Sequence, residues 1–97
     1  MPDVPGWADR FAILGDVNRL RIVLALHCAP GLTVSALAGV VGMTDNAVSH
    51  ALAALRTATV LEVHREGRYR RWSVRDPAIH QLLHHLGAPH SPLHPEH

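Results

Sequence analysis

Histidine is the residue type in this chain whose number and spacing point most directly to chemistry. The sequence holds nine histidines, and six of them lie in the last 18 positions. His80 and His84 have the i, i+4 spacing that brings two imidazoles onto one face of a helix, a spacing used for metal chelation. Nickel is the first expectation for a site of imidazole and carboxylate ligands without thiolate, with zinc or cobalt as alternatives. Further ligands would come from Asp76, His85, His90 and His94.

Two other interpretations of these histidines stay open. Residues 88–97 combine three prolines with three histidines, a composition typical of a mobile, weakly metal-binding tail. Alternatively, the chain acts without metal and depends on a second protein as its partner. The single Cys28 excludes an internal disulfide framework and a multi-cysteine zinc site, and it favours a reducing cytoplasm.

Arginine supplies the second chemical feature. All nine basic side chains are arginines, and eight acidic residues leave a formal net charge of only +1. The distribution is uneven, because residues 64–75 hold five arginines and a single acid, Glu66. A local cluster of this kind attracts a polyanion whatever the total charge of the chain.

A polar helix face precedes this arginine cluster. In residues 44–57, Val48, Leu52 and Leu55 recur at the spacing of a buried stripe. Thr44 is suited to cap the helix. The opposite stripe is mostly polar and consists of Asn46, Ser49, His50, Ala53 and Arg56.

A shorter helix is predicted just upstream, beginning at a cap on Thr33 and ending at Gly42. Two helices separated by a tight turn are typical of a helix-turn-helix, whose second helix enters a DNA major groove. A plain helical hairpin buried in a bundle is the alternative for this stretch alone. Residues 60–65 and 69–74 favour the first interpretation, because their alternating pattern around Gly67 predicts a hairpin that carries the arginines.

The remaining elements complete a winged-helix arrangement. Helices are predicted over 7–14 and 17–27, and a last helix begins at Pro77 behind an Asp76 cap and ends at Gly87. The fold expected is therefore mainly α with a β-hairpin wing, in the order α-α-α-α-β-β-α. Residues 1–6 are expected to form an irregular arm, residues 7–87 the DNA-binding and dimerisation domain, and residues 88–97 a tail. No apolar stretch approaches membrane-spanning length, so a cytoplasmic protein is expected.

With these elements the sequence resembles the ArsR/SmtB family of bacterial winged-helix repressors and metal sensors. The resemblance covers about residues 8–86 and is most specific in AVSHALAALR followed by the REGR hairpin. It implies a homodimer, joined mainly by the first and last helices, on a palindromic DNA operator. The implied DNA-facing residues are Thr44, Asn46, Ser49, His50 and Arg56 on the recognition helix and Arg65, Arg68, Arg70 and Arg71 on the wing. The expected dimer contacts are Trp7, Phe11, Ile79, Leu82, Leu83 and Leu86.

The sequence departs from the family pattern at two metal-binding positions. Thr33 and Ser35 stand where sensors of thiophilic ions carry cysteines, which argues against a thiolate site. Asp76 matches a metal ligand on the last helix of other members, but Ala78 replaces the histidine that follows it two residues later. The resemblance therefore implies nickel- or cobalt-type sensing only with a different ligand set.

Two other classes of function are alternatives to a DNA-binding regulator. An enzyme is not expected, because the sequence contains neither a glycine-rich phosphate loop nor a paired-carboxylate motif. A winged helix that binds protein rather than DNA is the stronger alternative. Salt dependence distinguishes it, since DNA binding through wing arginines weakens steeply as the salt concentration rises.

Overall fold

The computed structural model describes residues 3–87, which form five helices and one antiparallel hairpin. The elements run in the order α-α-α-α-β-β-α, as predicted. Their bounds are α1 Val4–Leu14, α2 Val17–Cys28, α3 Val34–Val41, α4 Asp45–Thr57, β1 Leu61–Glu66, β2 Tyr69–Val74 and α5 Pro77–His85.

Side-chain caps fix where the helices begin. The Asp16 carboxylate accepts from the Arg19 N–H, and the Thr33 and Thr44 hydroxyls accept from the N–H groups of Ala36 and Ala47. Each cap satisfies a backbone donor that has no partner inside its helix. The short turn between α3 and α4 contains Gly42 at a φ of 71°, a left-handed conformation that glycine adopts without steric cost.

The first helix begins earlier than the sequence pattern predicted. Val4–Gly6 belongs to α1 rather than to an irregular arm. Asp3 caps this turn by accepting from the Gly6 N–H at 3.1 Å. Pro5 lies in the first turn, where the missing N–H costs no intrahelical hydrogen bond. The proline and glycine that suggested an arm are therefore compatible with the start of a helix.

A third segment, the loop that follows α2, pairs with the hairpin along strand β2. In the β1–β2 register Val63 lies opposite Trp72, and Arg65 lies opposite Arg70. The loop after α2 pairs with β2, because the Trp72 N–H donates to the Leu32 carbonyl at 3.0 Å and the Gly31 N–H donates to the Trp72 carbonyl at 2.8 Å. These bonds fix the inner half of the wing to the helical core.

One continuous core joins all the helices and the hairpin, with α2 at its centre. Ile22, Val23 and Leu26 of α2 are fully inaccessible to solvent. The helix-turn-helix contributes Leu37, Val48, Leu52 and Leu55, and the hairpin contributes Leu61 and Trp72. Within residues 3–87, no helix is both long enough and apolar enough to cross a membrane.

The last helix packs on its own domain, which corrects a prediction. Ile79 is 0% exposed and Leu83 is 3% exposed, and both belong to the core of the chain. They are therefore not available to a partner chain, although the sequence pattern assigned them to a dimer interface. Leu82 is half-buried and Leu86 is 72% exposed. The apolar residues of α5 thus divide into an inner row and an outer row.

Candidate nucleic-acid interface

The recognition helix α4 presents the polar face that the sequence predicted. Val48, Leu52 and Leu55 are buried. Asn46, Ser49, His50 and Arg56 are all exposed on the outer side of the helix. Thr44 has a different task from these four, because its hydroxyl accepts from the Ala47 N–H at 3.1 Å and so caps the helix.

Three of the wing arginines are exposed and lack a carboxylate partner among residues 3–87. Arg65 and Arg70 lie opposite each other on the two strands, and Arg68 occupies the turn. Like charges directly opposite in a hairpin repel one another and destabilise the pair. The arrangement creates a strong local positive potential that a polyanion would relieve.

Arg71 differs from the other wing arginines. Its Nη1 donates to the Gly31 carbonyl at 3.1 Å, and its Nε lies 2.5 Å from a carboxylate oxygen of Glu66. These contacts tie the wing to the loop that follows α2. The structure therefore gives Arg71 a supporting position, whereas the sequence grouped it with the DNA-facing residues.

A groove of about 560 Å³ separates the recognition helix from the wing. Three of the predicted DNA-facing residues, Ser49, Arg56 and Arg70, line the same groove. Thr57 and Ala53 complete the polar and small side chains along α4. The other lining residues are the apolar Val34, Leu52 and Trp72.

Tyr69 is a wing residue that the sequence analysis did not single out. Its ring is 52% exposed and lies 5.9 Å from the Arg68 guanidinium carbon and 5.8 Å from that of Arg71. Cation–π contacts of this kind hold guanidinium groups near an aromatic face. In the β1–β2 register, Tyr69 pairs with Glu66 at the tip of the hairpin.

The predicted metal ligands do not form a cluster in the part of the chain that the structure describes. Among residues 3–87, no group of three or more His, Cys, Asp or Glu side chains is arranged to hold a metal ion. Asp76 is already engaged, because one carboxylate oxygen accepts from the Ala78 N–H at 2.9 Å and the other accepts from Arg10 Nε at 2.7 Å. The hydrogen bond between Arg10 and Asp76 raises the pKa of Arg10 above its ordinary value. His90 and His94 lie outside the described residues.

The histidines of α5 have separate surroundings. The His80 ring meets the buried His27 ring edge-on, with 4.7 Å between the centroids. His84 and His85 are exposed, and their ring centroids are 6.0 Å apart. His27 is only 3% exposed.

Apolar side chains are exposed on the two terminal helices. On α1, Phe11 is 59% exposed and packs on Trp7, while Val4 is 62% exposed. Leu86, the residue that caps the end of α5, is 72% exposed. Val4 was missed by the sequence analysis because the start of α1 was placed three residues too late.

A helix-turn-helix with an exposed second helix, followed directly by a basic hairpin, defines a winged helix-turn-helix protein. Similarities to known proteins narrow this class. The chain is 31% identical over 81 residues to the cadmium resistance transcriptional regulatory protein CadC of Listeria innocua, covering 84% of this chain and 68% of the relative. No family model matches the sequence. The chain belongs to the ArsR/SmtB family of DNA-binding transcriptional regulators, as its sequence motifs suggested.

Solved structures agree with this fold. A DNA-binding transcriptional regulator predicted in E. coli superimposes with a TM-score of 0.81 at 21% identity, covering 87% of this chain and 88% of that chain. The homodimeric winged helix-turn-helix domain of Mb0332 from Mycobacterium bovis, a possible ArsR-family regulator, gives a TM-score of 0.74 at 24% identity, covering 90% and 84%. These two likenesses, both below 25% identity, show the fold. The relative CadC is a transcriptional regulatory protein, in agreement with the expectation that the chain is not an enzyme.

Proposed function

We propose that the protein acts as a homodimer on a palindromic DNA operator, with α4 in the major groove and the wing along the phosphate backbone. The observation that carries the proposal is the set of exposed guanidinium groups on α4 and the wing without carboxylate partners among residues 3–87, those of Arg56, Arg65, Arg68 and Arg70. Phosphates would neutralise these cations and release condensed counterions. Asn46, Ser49 and His50 would face the bases, since they occupy the outer side of α4.

A dimer is supported by the apolar surface on α1 and α5. Phe11 and Leu86 expose most of their side chains to solvent. Trp7 and Leu82, which precede them by one helical turn, are half-buried. The similar Mycobacterium bovis domain is homodimeric. A two-fold axis would pair two recognition helices with the two halves of a palindrome.

The test of DNA binding is its salt dependence. A duplex selected from random sequence by the full chain is titrated with protein at several salt concentrations. Arg65→Ala and Arg70→Ala should each reduce the slope of log affinity against log salt by about 1 per protomer, because each removes one phosphate contact from each protomer of the dimer. Arg21→Ala, at an exposed position on α2, is the matched control. Slopes unchanged by the wing variants would rule out this role for the wing.

We propose, as a finer point, that a divalent metal, nickel first and zinc or cobalt next, regulates this DNA binding through α5. The supporting observation is the i, i+4 pair His80 and His84 on that helix. Asp76 fits poorly as a ligand, because Arg10 and the Ala78 N–H already occupy its oxygens. Other ligands would have to come from His85 or from residues 88–97, including His90 and His94. A bound ion would couple to DNA affinity by typically about 1–3 kcal/mol.

Calorimetric titration of the metal-free chain with nickel and with zinc tests this point. His80→Ala combined with His84→Ala should lower nickel affinity at least tenfold, whereas His64→Ala on the wing should leave it unchanged. A parallel variant, His90→Ala with His94→Ala, measures the contribution of residues 88–97. If neither double variant changes the affinity, the metal proposal fails and the signal must come from elsewhere, for example from a second regulatory protein.

A further inference from the structure

The groove between α4 and the wing has a lining that phosphate contacts do not require. Half-buried Val34 and exposed Ala53 supply apolar surface there, whereas Leu52 and Trp72 line the groove with only 1% and 6% of their surface exposed. Its volume of about 560 Å³ lies within the range of small-molecule sites, roughly 300–1,000 Å³. An apolar lining with a few polar groups is the usual composition of a ligand pocket.

Two cations from different elements converge on this groove. Arg56 comes from the last turn of α4 and Arg70 from β2, and both line the groove. Neither guanidinium group has a carboxylate partner within residues 3–87, so an anion placed between them would meet uncompensated positive charge. Arg65, opposite Arg70, raises the positive potential further.

We propose that this groove binds a small organic anion, namely a carboxylate attached to an aromatic or branched apolar body. The carboxylate would pair with Arg56 and Arg70, since guanidinium groups match carboxylate geometry and are weakly hydrated. The apolar body would pack on Val34 and Ala53. A simple anion would pair with the arginines but would leave the apolar side chains of the groove uncovered.

Such a ligand would compete directly with DNA. Ser49, Arg56 and Arg70 line the groove and are also residues through which DNA binding is proposed. This consequence rests on the proposed function, whereas binding of the ligand to the free protein does not. The two parts can therefore be measured separately.

Calorimetry on the full chain without DNA tests the site itself, with 1-naphthoate as the probe. We expect saturable binding of 1-naphthoate and affinity at least tenfold lower for 1-naphthamide, which lacks the charge, and for acetate, which lacks the apolar body. Arg70→Gln should lower 1-naphthoate affinity at least tenfold. Ala53→Leu, at an exposed helix position, should block the groove without removing a charge. Arg21→Gln, on α2, is the control for loss of one positive charge.

Each outcome decides between the parts of the proposal. If 1-naphthoate does not bind, or if Arg70→Gln and Ala53→Leu bind it normally, the groove is not its site, whatever the DNA result. When 1-naphthoate is then added to the protein–DNA complex, its apparent competition constant should match the calorimetric one. If 1-naphthoate binds the free protein but does not displace DNA, the proposed competition between the ligand and DNA is wrong. Failure of the chain to bind DNA would instead overturn the proposed function and leave the calorimetric result standing.

Discussion

Two arginines, one on α1 and one on β2, show how the surface near the terminal helices differs from the surface of the wing. Arg10, on α1, donates to Asp76 at 2.7 Å and lies 4.8 Å from the centre of the Trp7 ring. Arg70, on β2, is exposed and has no carboxylate partner in residues 3–87. The first positive charge is neutralised inside the chain, and the second is left for a ligand.

The same contrast extends to the neighbours of each arginine. Around Arg10 the surface offers apolar side chains such as Phe11, which suit another protein chain. Around Arg70 it offers Arg65 and the polar face of α4, which suit a polyanion. A chain whose net charge is only +1 thus separates a cationic surface from an apolar one.

The strongest way to break this contrast is to place a charge on the apolar surface. Phe11→Glu should give monomers by light scattering, because the glutamate would be buried without a partner in the dimer. Operator affinity should fall about 100-fold, since two linked recognition helices bind far more tightly than one. Val40→Glu on α3, where the parent residue is 65% exposed, is the matched control. If the Phe11→Glu variant remained dimeric, α1 would not be part of the dimer interface.

A change of intermediate size should come from the arginine that supports the wing. Arg71→Lys keeps the charge but gives up the paired contacts with Gly31 and Glu66. Losing about 1 kcal/mol of hydrogen bonding should make amide hydrogen exchange in β1 and β2 about fivefold faster. Arg68→Lys at the turn is the control and should leave the exchange unchanged. If the two variants exchange alike, the Arg71 contacts do not order the wing.

The smallest effect concerns Asp76, which joins α1 to α5. Asp76→Ala should lower the free energy of unfolding by about 0.5 kcal/mol more than Asp76→Asn, because asparagine can still cap the helix by accepting from the Ala78 N–H. Urea unfolding measures the difference. Equal stabilities of the two variants would mean that the cap contributes nothing and that the contact with Arg10 accounts for the role of Asp76.

Local signals made most of the fold predictable. Asp16, Thr33, Thr44 and Asp76 each precede a helix and cap it through a nearby N–H, so their effect depends only on neighbours in the sequence. The hairpin was likewise predicted from its alternating residues and from Gly67, which has the positive φ that the turn needs.

Contacts between distant residues were not predictable in this way. Ile79 and Leu82 belong to the same apolar pattern, but only the packing of α5 on the core buries the first completely. Arg70 and Arg71 are adjacent, and their different environments depend on where the loop after α2 passes the wing. For the same reason, sequence spacing placed Asp76 with the histidines, whereas the fold places it with Arg10.

The pairing of Leu32 with Trp72 has a consequence for the order in which the molecule assembles. The neighbouring contact from Arg71 to Gly31 joins residues 40 positions apart. Closing so long a loop costs entropy before the contact is made, whereas the α3–α4 turn closes within a few residues. The helices are therefore expected to collapse first, and the wing to attach late in folding and to detach early in unfolding.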